Sequence, residues 1–162
     1  MFNYPFGDKR NSSLIKFIEE EKIKKINIIG SPGSGKTTLS KYLKKILMTE
    51  MLNIDSLFET TNDNSLIEDI IVDKLSTTKK IIIDGTYSSL LTPERINNTD
   101  LFVLVDSSII NSILKVIRRA VNGKNQYKNE RLSFRLIKQI MIFKKKKGII
   151  ISRVEKNKIY YY

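Results

Sequence analysis

One glycine-rich segment of this chain reads Gly30-Ser31-Pro32-Gly33-Ser34-Gly35-Lys36-Thr37-Thr38. Residues 30–37 fit the pattern G-x-x-x-x-G-K-[ST], in which glycines let backbone N–H groups curl around a polyphosphate. The flanks are consistent with it, because residues 26–29 form a short apolar run of strand type. Apolar residues then recur at helical spacing from Leu39 to Leu47. A strand, a glycine-rich loop and a helix in this order predict a nucleoside triphosphate site.

Each part of this loop has an expected role toward the phosphates. The helix beginning near Lys36 directs its positive dipole end at them, and the Lys36 side chain adds a mobile cation. The Thr37 hydroxyl is the expected Mg²⁺ ligand. The predicted cofactor is therefore ATP or GTP with Mg²⁺. The residues expected to bind it are Ser31, Pro32, Gly33, Ser34, Gly35, Lys36, Thr37 and Thr38.

Length and composition restrict the classes of protein to consider. A chain of 162 residues is long enough for one domain with a sizeable core. It contains no cysteine and no histidine, so acid–base chemistry would fall to Asp, Glu, Lys or Tyr. No apolar run approaches the ~20 residues that span a bilayer, and the first residues do not resemble a signal peptide. We expect a cytoplasmic protein with no membrane partner.

The net charge of +12 is concentrated in the C-terminal third of the chain. Residues 107–162 contain 15 Lys and Arg but only two acidic residues, Glu130 and Glu155, which gives +13. Such a segment can contact nucleic acid, an anionic membrane surface or a phosphorylated substrate. We interpret the run Lys144–Lys147 as a solvated helix end, with a polyanion contact as the alternative.

Strands and helices alternate along the predicted chain. Apolar strands are expected near residues 25–29, 51–55, 80–85, 101–106 and 158–162, with helices between them. This order predicts a mostly parallel sheet with helices on both faces. Residues 1–24 are expected to form an N-terminal extension with a helix, and residues 25–162 to form the nucleotide-binding domain.

Two acidic residues follow predicted strands and are candidates for the site. Asp84 ends an apolar run, as the metal-holding Asp of a Walker B element does. The following Gly85 stands where water-activating ATPases carry glutamate, which favours transfer to a bound acceptor over hydrolysis. Asp55 is expected at the tip of the second strand, where it could orient or deprotonate an acceptor hydroxyl. Capping of the following helix is an equally good explanation for Asp55.

Arginines are the third group of candidates. Ile110, Ile113, Leu114 and Ile117 have the spacing of an inward helical face, so the next residues, Arg118 and Arg119, would be free to reach a ligand. We assign them to stabilisation of the transferred phosphoryl group, with solvated arginines at a helix end as the alternative. Arg95 is a candidate for clamping the substrate.

The chain resembles the adenylate-kinase-like P-loop kinases and, more narrowly, the bacterial DNA topology modulation proteins. The matching segments cover about residues 24–162, and the segment Asp84-Gly85-Thr86-Tyr87-Ser88-Ser89 is their most specific part. The resemblance implies a three-layer α/β/α P-loop fold with a five-stranded parallel sheet and a short helical lid carrying Arg118 and Arg119. It also implies an acceptor pocket between the second strand and the turn that ends at Tyr87.

These observations predict an ATP- or GTP-dependent phosphotransferase of the small nucleotide or metabolite kinase type. Lys36, Asp55, Arg118 and Arg119 would be its catalytic residues, with Thr37 and Asp84 holding the metal. Asp55, Tyr87 and Arg95 would bind the acceptor, a small molecule. The alternative is a nucleic-acid-associated P-loop protein, either a polynucleotide 5′-hydroxyl kinase or a nucleotide-regulated DNA binder. A nucleotide-binding protein with a regulatory role is a third possibility.

Overall fold

The structure, a computed structural model, describes residues 8–86, 91–121, 134–154 and 158–162. Strands and helices alternate along these residues, as predicted. In chain order they are α1 (Asp8–Glu20), β1 (Lys25–Gly30), α2 (Lys36–Leu47), β2 (Glu50–Asn53), α3 (Ile54–Thr60), α4 (Asn64–Thr77), β3 (Ile81–Asp84), α5 (Pro93–Asn97), β4 (Leu101–Val105), α6 (Ile109–Val121), α7 (Phe134–Arg153) and β5 (Ile159–Tyr161).

The five strands form one parallel sheet in the order β2-β3-β1-β4-β5. The predicted five-stranded parallel sheet is therefore confirmed. The central strand, β1, leads directly into the glycine-rich loop, and β3 lies next to it. Because parallel strands end at the same edge, the loop and Asp84 come together at the carboxyl edge of the sheet. Arg118 and Arg119, which the predicted lid would carry, belong to α6, and the segment between α6 and α7 lies outside the described residues.

The side chains of each strand alternate between two helical layers. Leu101, Val103 and Val105 of β4 pack with α1 and α2, whereas Phe102 and Leu104 of the same strand pack with α7. On the face of the sheet that α7 covers, α4 packs against β3 through its buried residues Ile67, Ile71 and Leu75. Burial on both faces explains why these strands are continuously apolar in sequence. Helices therefore cover both faces of the sheet, as predicted.

Helix α1 packs on the domain core. Leu14 and Ile18 are buried among residues of β1, α2 and β4. The Phe17 and Tyr160 ring centroids are 5.4 Å apart, which joins α1 to β5. Part of the predicted N-terminal extension thus contributes to the same core as residues 25–162. No helix in the described parts of the chain is long and apolar enough to cross a membrane.

The predicted inward face of α6 is wrong. Ile110 is 70% exposed and Leu114 57% exposed, and Ile117 is also exposed, whereas Ser112 and Val116 are buried. The reason lies in what the helix packs against. A Cβ atom built on Gly33 of the glycine-rich loop would lie 2.5 Å from the Ser112 carbonyl oxygen. So close an approach of helix to loop leaves space for a serine but not for the isoleucine side chains.

Candidate functional site

The glycine-rich loop has a compact conformation between β1 and α2. Gly33 and Gly35 have φ angles of +75° and +105°, which residues other than glycine rarely adopt. The Ser34 N–H donates to the Ser31 carbonyl at 3.1 Å, and the Lys36 ammonium donates to the same carbonyl at 2.9 Å. The Lys36 charge is therefore held at the loop itself. Helix α2 begins at Lys36, so its N-terminal dipole end also lies there.

Helix α6 is joined to this loop by polar contacts. The Ser31 and Ser112 hydroxyl oxygens are 3.3 Å apart, and Ser112 also pairs with the Ser107 hydroxyl. The Asn111 N–H donates to the Ser108 hydroxyl at 3.2 Å, so Ser108 caps the start of this helix. The phosphate loop and α6 are thus in direct contact.

Asp84 lies next to the loop and is 2% exposed. Its Oδ2 accepts a hydrogen bond from the Asn53 side-chain amide at 3.1 Å. Its Oδ1 is buried without a hydrogen-bond partner among the described residues. Burial raises the pKa of Asp84 above its usual value of 3.8, whereas the Thr37 hydroxyl and Lys36 lower it; the Asp55 charge raises it.

These donors fit the Mg²⁺ that a triphosphate site requires. The unpartnered Oδ1 of Asp84 and the nearby Thr37 hydroxyl are hard oxygen donors, the type that Mg²⁺ prefers. The described residues contain no group of three or more acidic, histidine or cysteine side chains that could hold a metal by themselves. Phosphate and water oxygens would therefore complete the coordination, as is usual for Mg²⁺ in kinases.

Asp55 does not lie at the tip of a strand, because β2 ends at Asn53 and Asp55 belongs to the first turn of α3. The cap of this helix is Asn53, whose Oδ1 accepts from the Ser56 N–H at 3.1 Å. Asp55 is partly buried, and after burial its charge is a further cause that raises the pKa of Asp84. The start of α3 lies near Asp84, because Asn53, which caps this helix, also donates to the Asp84 carboxylate. A contact between Asp55 and an acceptor stays a prediction.

Arg95 lies in α5 and is completely buried. Its Nη2 donates to the Asn27 side-chain oxygen and, at 3.1 Å, to the Gly85 carbonyl. Burial lowers the pKa of Arg95 to about 9, and the Glu68 charge partly offsets this. The guanidinium is thus still charged at neutral pH. Arg95 contacts the turn that follows Asp84 from the protein interior. Its contact with the substrate stays a prediction.

Replacing Arg95 with methionine should destabilise the protein. The variant leaves the Asn27 oxygen and the Gly85 carbonyl buried without this donor, at a cost of about 1–3 kcal/mol each. We expect the free energy of unfolding in urea to fall by about 2–4 kcal/mol. Arg118→Met, at an exposed position of α6, is the control and should change it little. Equal losses in the two variants would contradict the role of Arg95.

The remaining candidates are placed less completely. Arg118 is exposed on α6, two residues beyond Val116, which packs near Gly33. The backbone of Arg119 belongs to the same helix, whereas its side chain lies outside the described parts of the structure. Tyr87 also lies outside them. The catalytic role of the two arginines and the acceptor contact of Tyr87 stay predictions.

Part of the C-terminal basic charge is paired within the protein. Asp106, directly after β4, accepts from the ammonium groups of Lys144 and Lys147 on α7. Burial alone would raise the pKa of Asp106, but these two cations hold it below its usual value. Two lysines of the run predicted to be a solvated helix end therefore bind α7 to the end of β4. Lys145 and Lys146 are exposed.

Sequence reasoning did not identify three polar residues whose hydrogen bonds involve Arg95, Asp84 or Gly30. They are Asn27, Asn53 and Thr86. Asn27 did carry a signal, because it is the one polar residue within the apolar run of β1 and is fully buried. A buried polar side chain must be hydrogen-bonded, so it marks a network. Asn53 had no comparable signal, because it lies at a strand end where polar residues are common. Thr86 lies in the segment 84–89 that carries the resemblance, but that pattern assigned it no role.

The solved structures that resemble this chain include two shikimate kinases. The shikimate kinase from Bacteroides thetaiotaomicron is 17% identical, with a TM-score of 0.59 and 86% of each chain covered. The enzyme from Acinetobacter baumannii, in complex with shikimate, is 13% identical, with a TM-score of 0.56, covering 88% of this chain and 84% of the other. At these identities the likeness shows the fold, and the predicted P-loop α/β fold is confirmed.

Sequence comparisons identify no family for this chain. The chain matches no protein-family model and none of the curated proteins. The narrower resemblance to the DNA topology modulation proteins therefore stays a prediction. What the chain does must be argued from its own site.

Proposed function

We propose that this protein is an ATP- or GTP-dependent phosphotransferase that moves the γ-phosphoryl group to a small acceptor. One observation carries the proposal: Lys36 is held at the phosphate loop, and the unpartnered Oδ1 of buried Asp84 lies beside it at the same sheet edge. A cation for the phosphates and an oxygen for Mg²⁺ are the two groups that phosphoryl transfer most requires. The fold shared with shikimate kinases supports a metabolite as acceptor.

Each side chain has a proposed part in the reaction. The loop N–H groups and Lys36 bind the β- and γ-phosphates, and Thr37 and Asp84 would hold Mg²⁺, which would neutralise phosphate charge. Asp55 accepts a hydrogen bond from the acceptor hydroxyl and takes its proton as the bond from the acceptor oxygen to the γ-phosphorus forms. The bond from the γ-phosphorus to the β–γ bridging oxygen breaks at the same time, and the nucleoside diphosphate leaves. Tyr87 belongs to the acceptor pocket, and Arg118 and Arg119 stabilise the transferred group. Catalysis rests mainly on positioning and charge, which suits a protein without histidine.

The experiment is a transfer assay with γ-labelled ATP, Mg²⁺ and a panel of acceptors. The panel contains shikimate and other hydroxylated metabolites, nucleosides, nucleoside monophosphates and 5′-hydroxyl oligonucleotides. Label on one small acceptor supports the proposal and identifies the pocket. Label only on oligonucleotides would replace it with a polynucleotide kinase, and phosphate release without any acceptor would contradict transfer.

Asp84→Asn should show that this carboxylate is retained for function at the expense of stability. Burial disfavours its charge, and asparagine can still accept the Asn53 hydrogen bond. We expect the variant without nucleotide to be more stable by about 1 kcal/mol at neutral pH, while transfer activity is lost.

The pH dependence of this difference follows from the raised pKa of Asp84. The Asp84 carboxyl binds its proton more tightly in the folded protein than in the unfolded chain. The charged carboxylate therefore destabilises the folded protein increasingly as the pH rises through the folded-state pKa. The stability difference between wild type and Asp84→Asn should shrink as the pH falls toward 3.8, the usual value. Urea unfolding at several pH values measures it, and a less stable variant at neutral pH would contradict the prediction.

A further inference from the structure

The β1–β3 ladder ends in an unusual way beside Asp84. Pairing runs to Ile28 opposite Asp84, and the Gly85 N–H donates to the Ile28 carbonyl at 3.2 Å. The next bond of a regular parallel ladder would join the Gly30 N–H to the Gly85 carbonyl. Here the Gly85 carbonyl instead accepts from Arg95, at 3.1 Å. The Gly30 N–H donates to the Thr86 hydroxyl at 2.9 Å.

The Thr86 hydroxyl replaces the missing part of the ladder. It accepts from the Gly30 N–H and donates to the Gly30 carbonyl at 2.6 Å. Gly30 is the first residue of the phosphate loop, and Thr86 stands two residues after Asp84. The pair of bonds, which we term the Thr86–Gly30 contact, therefore joins the loop that carries Thr37 to the turn that carries Asp84.

The same turn also touches the element that carries Asp55. Gly85 has a φ of +149°, and a Cβ atom there would lie 2.8 Å from the Ile54 Cβ. Ile54 directly precedes Asp55 in α3. The position of this turn is thus coupled to the phosphate loop through Thr86, to α5 through Arg95 and to α3 through Ile54.

We propose that Thr86 is a positioning residue, which sets the distance between the phosphate loop and Asp84 while Arg95 holds the Gly85 carbonyl out of the ladder. The inference rests on the proposed function, because it concerns the same nucleotide and metal site. Thr37 and Asp84 come from the two sides of the Thr86–Gly30 contact. Two groups that bind the same Mg²⁺ must each be held within about 0.5 Å of the position that binding requires.

The chain provides a matched control in Thr99. Its hydroxyl, like that of Thr86, makes two hydrogen bonds, donating to the Arg95 carbonyl at 2.7 Å and accepting from Asn27 at 2.9 Å. Thr99 is buried and Thr86 is partly buried, so Thr86→Val and Thr99→Val each remove one hydroxyl with two partners, and the control makes the more buried loss. A merely structural role for Thr86 would give both variants a similar loss of stability and the same binding behaviour.

The experiment measures the affinity of ATP with and without Mg²⁺ by calorimetry, in wild type and both variants. The ratio of the two affinities reports the metal's contribution and does not depend on the folded fraction. We expect Thr86→Val to reduce this ratio by at least about tenfold, the effect typical of groups that orient metal ligands. Thr99→Val should keep the wild-type ratio, and Thr86→Ser, which retains the hydroxyl, should restore it.

The outcomes separate the two proposals. Wild-type protein that binds no ATP, with or without Mg²⁺, would overturn the proposed function and this inference with it. Wild-type protein with a clear Mg²⁺ effect that Thr86→Val leaves unchanged would overturn only the role of Thr86. Hydrogen exchange of the Gly30 amide in wild type, measured by NMR, tests the contact without a substitution. Protection is expected, and exchange as fast as in an exposed loop would also overturn the proposal.

Discussion

Lys36→Met is expected to lower kcat/KM for phosphoryl transfer by about 10²–10³-fold, the loss typical when one preorganised charge-stabilising donor is removed. The Lys36 ammonium lies 2.9 Å from the Ser31 carbonyl, so its charge is already at the loop that would receive the phosphates. Methionine keeps a flexible chain of similar length but has no charge. Steady-state kinetics with the acceptor that the transfer assay identifies would measure the loss.

Lys41→Met is the matched control for this variant. Lys41 lies in the same helix as Lys36 and is exposed, so the same substitution removes one charge without touching the loop. We expect transfer to change by no more than about twofold, with an unfolding curve close to that of wild type. Equal activity losses in the two variants would show that net charge matters, and not the position of Lys36.

Asp55→Asn is expected to lower kcat by about 10²–10⁴-fold, the usual contribution of a general base. The carboxylate is partly buried in the first turn of α3, and with burial its charge raises the pKa of Asp84. An amide can still hydrogen-bond an acceptor hydroxyl but cannot take its proton. We therefore expect the KM for ATP to change little while turnover falls, which the same kinetic assay measures.

Glu59→Gln provides the comparison within the same short helix. Glu59 is exposed toward the other end of α3, so neutralising it tests the general effect of removing an acid there. The kcat of Glu59→Gln should stay close to that of wild type. If Asp55→Asn turned over as fast as Glu59→Gln, Asp55 would have no part in proton transfer, and its significance would lie only in its charge beside Asp84.

The conformation of the glycine-rich loop was predictable because its determinants are local. Residues 30–37 are contiguous, and the conformation of the loop depends on glycines whose backbone freedom is a property of the residue itself. Asp84 was predictable for a related reason. It ends a continuous apolar run, and the parallel order of the strands places such ends at one edge of the sheet.

The surroundings of the site depend on packing between segments distant in sequence. Arg95 was expected to clamp the substrate, yet it is completely buried, and its guanidinium donates to Asn27 of β1. The predicted buried face of α6 was wrong because periodicity identifies the apolar face of a helix but not the element that packs against the helix. The neighbour is a loop at Gly33 that only a small residue can approach.

For this protein, sequence alone determined the P-loop, the order of strands and helices, and the identity of Lys36, Thr37 and Asp84 as the phosphate and metal candidates. These follow from backbone freedom, hydrophobic period and residue chemistry, which act over a few neighbouring residues. Only the tertiary structure decided that Thr86 bonds Gly30, that Arg95 holds Gly85, and that Asp106 pairs with Lys144 and Lys147. Hydrogen bonds and ion pairs between segments far apart in sequence depend on how the layers pack, and no local pattern encodes them.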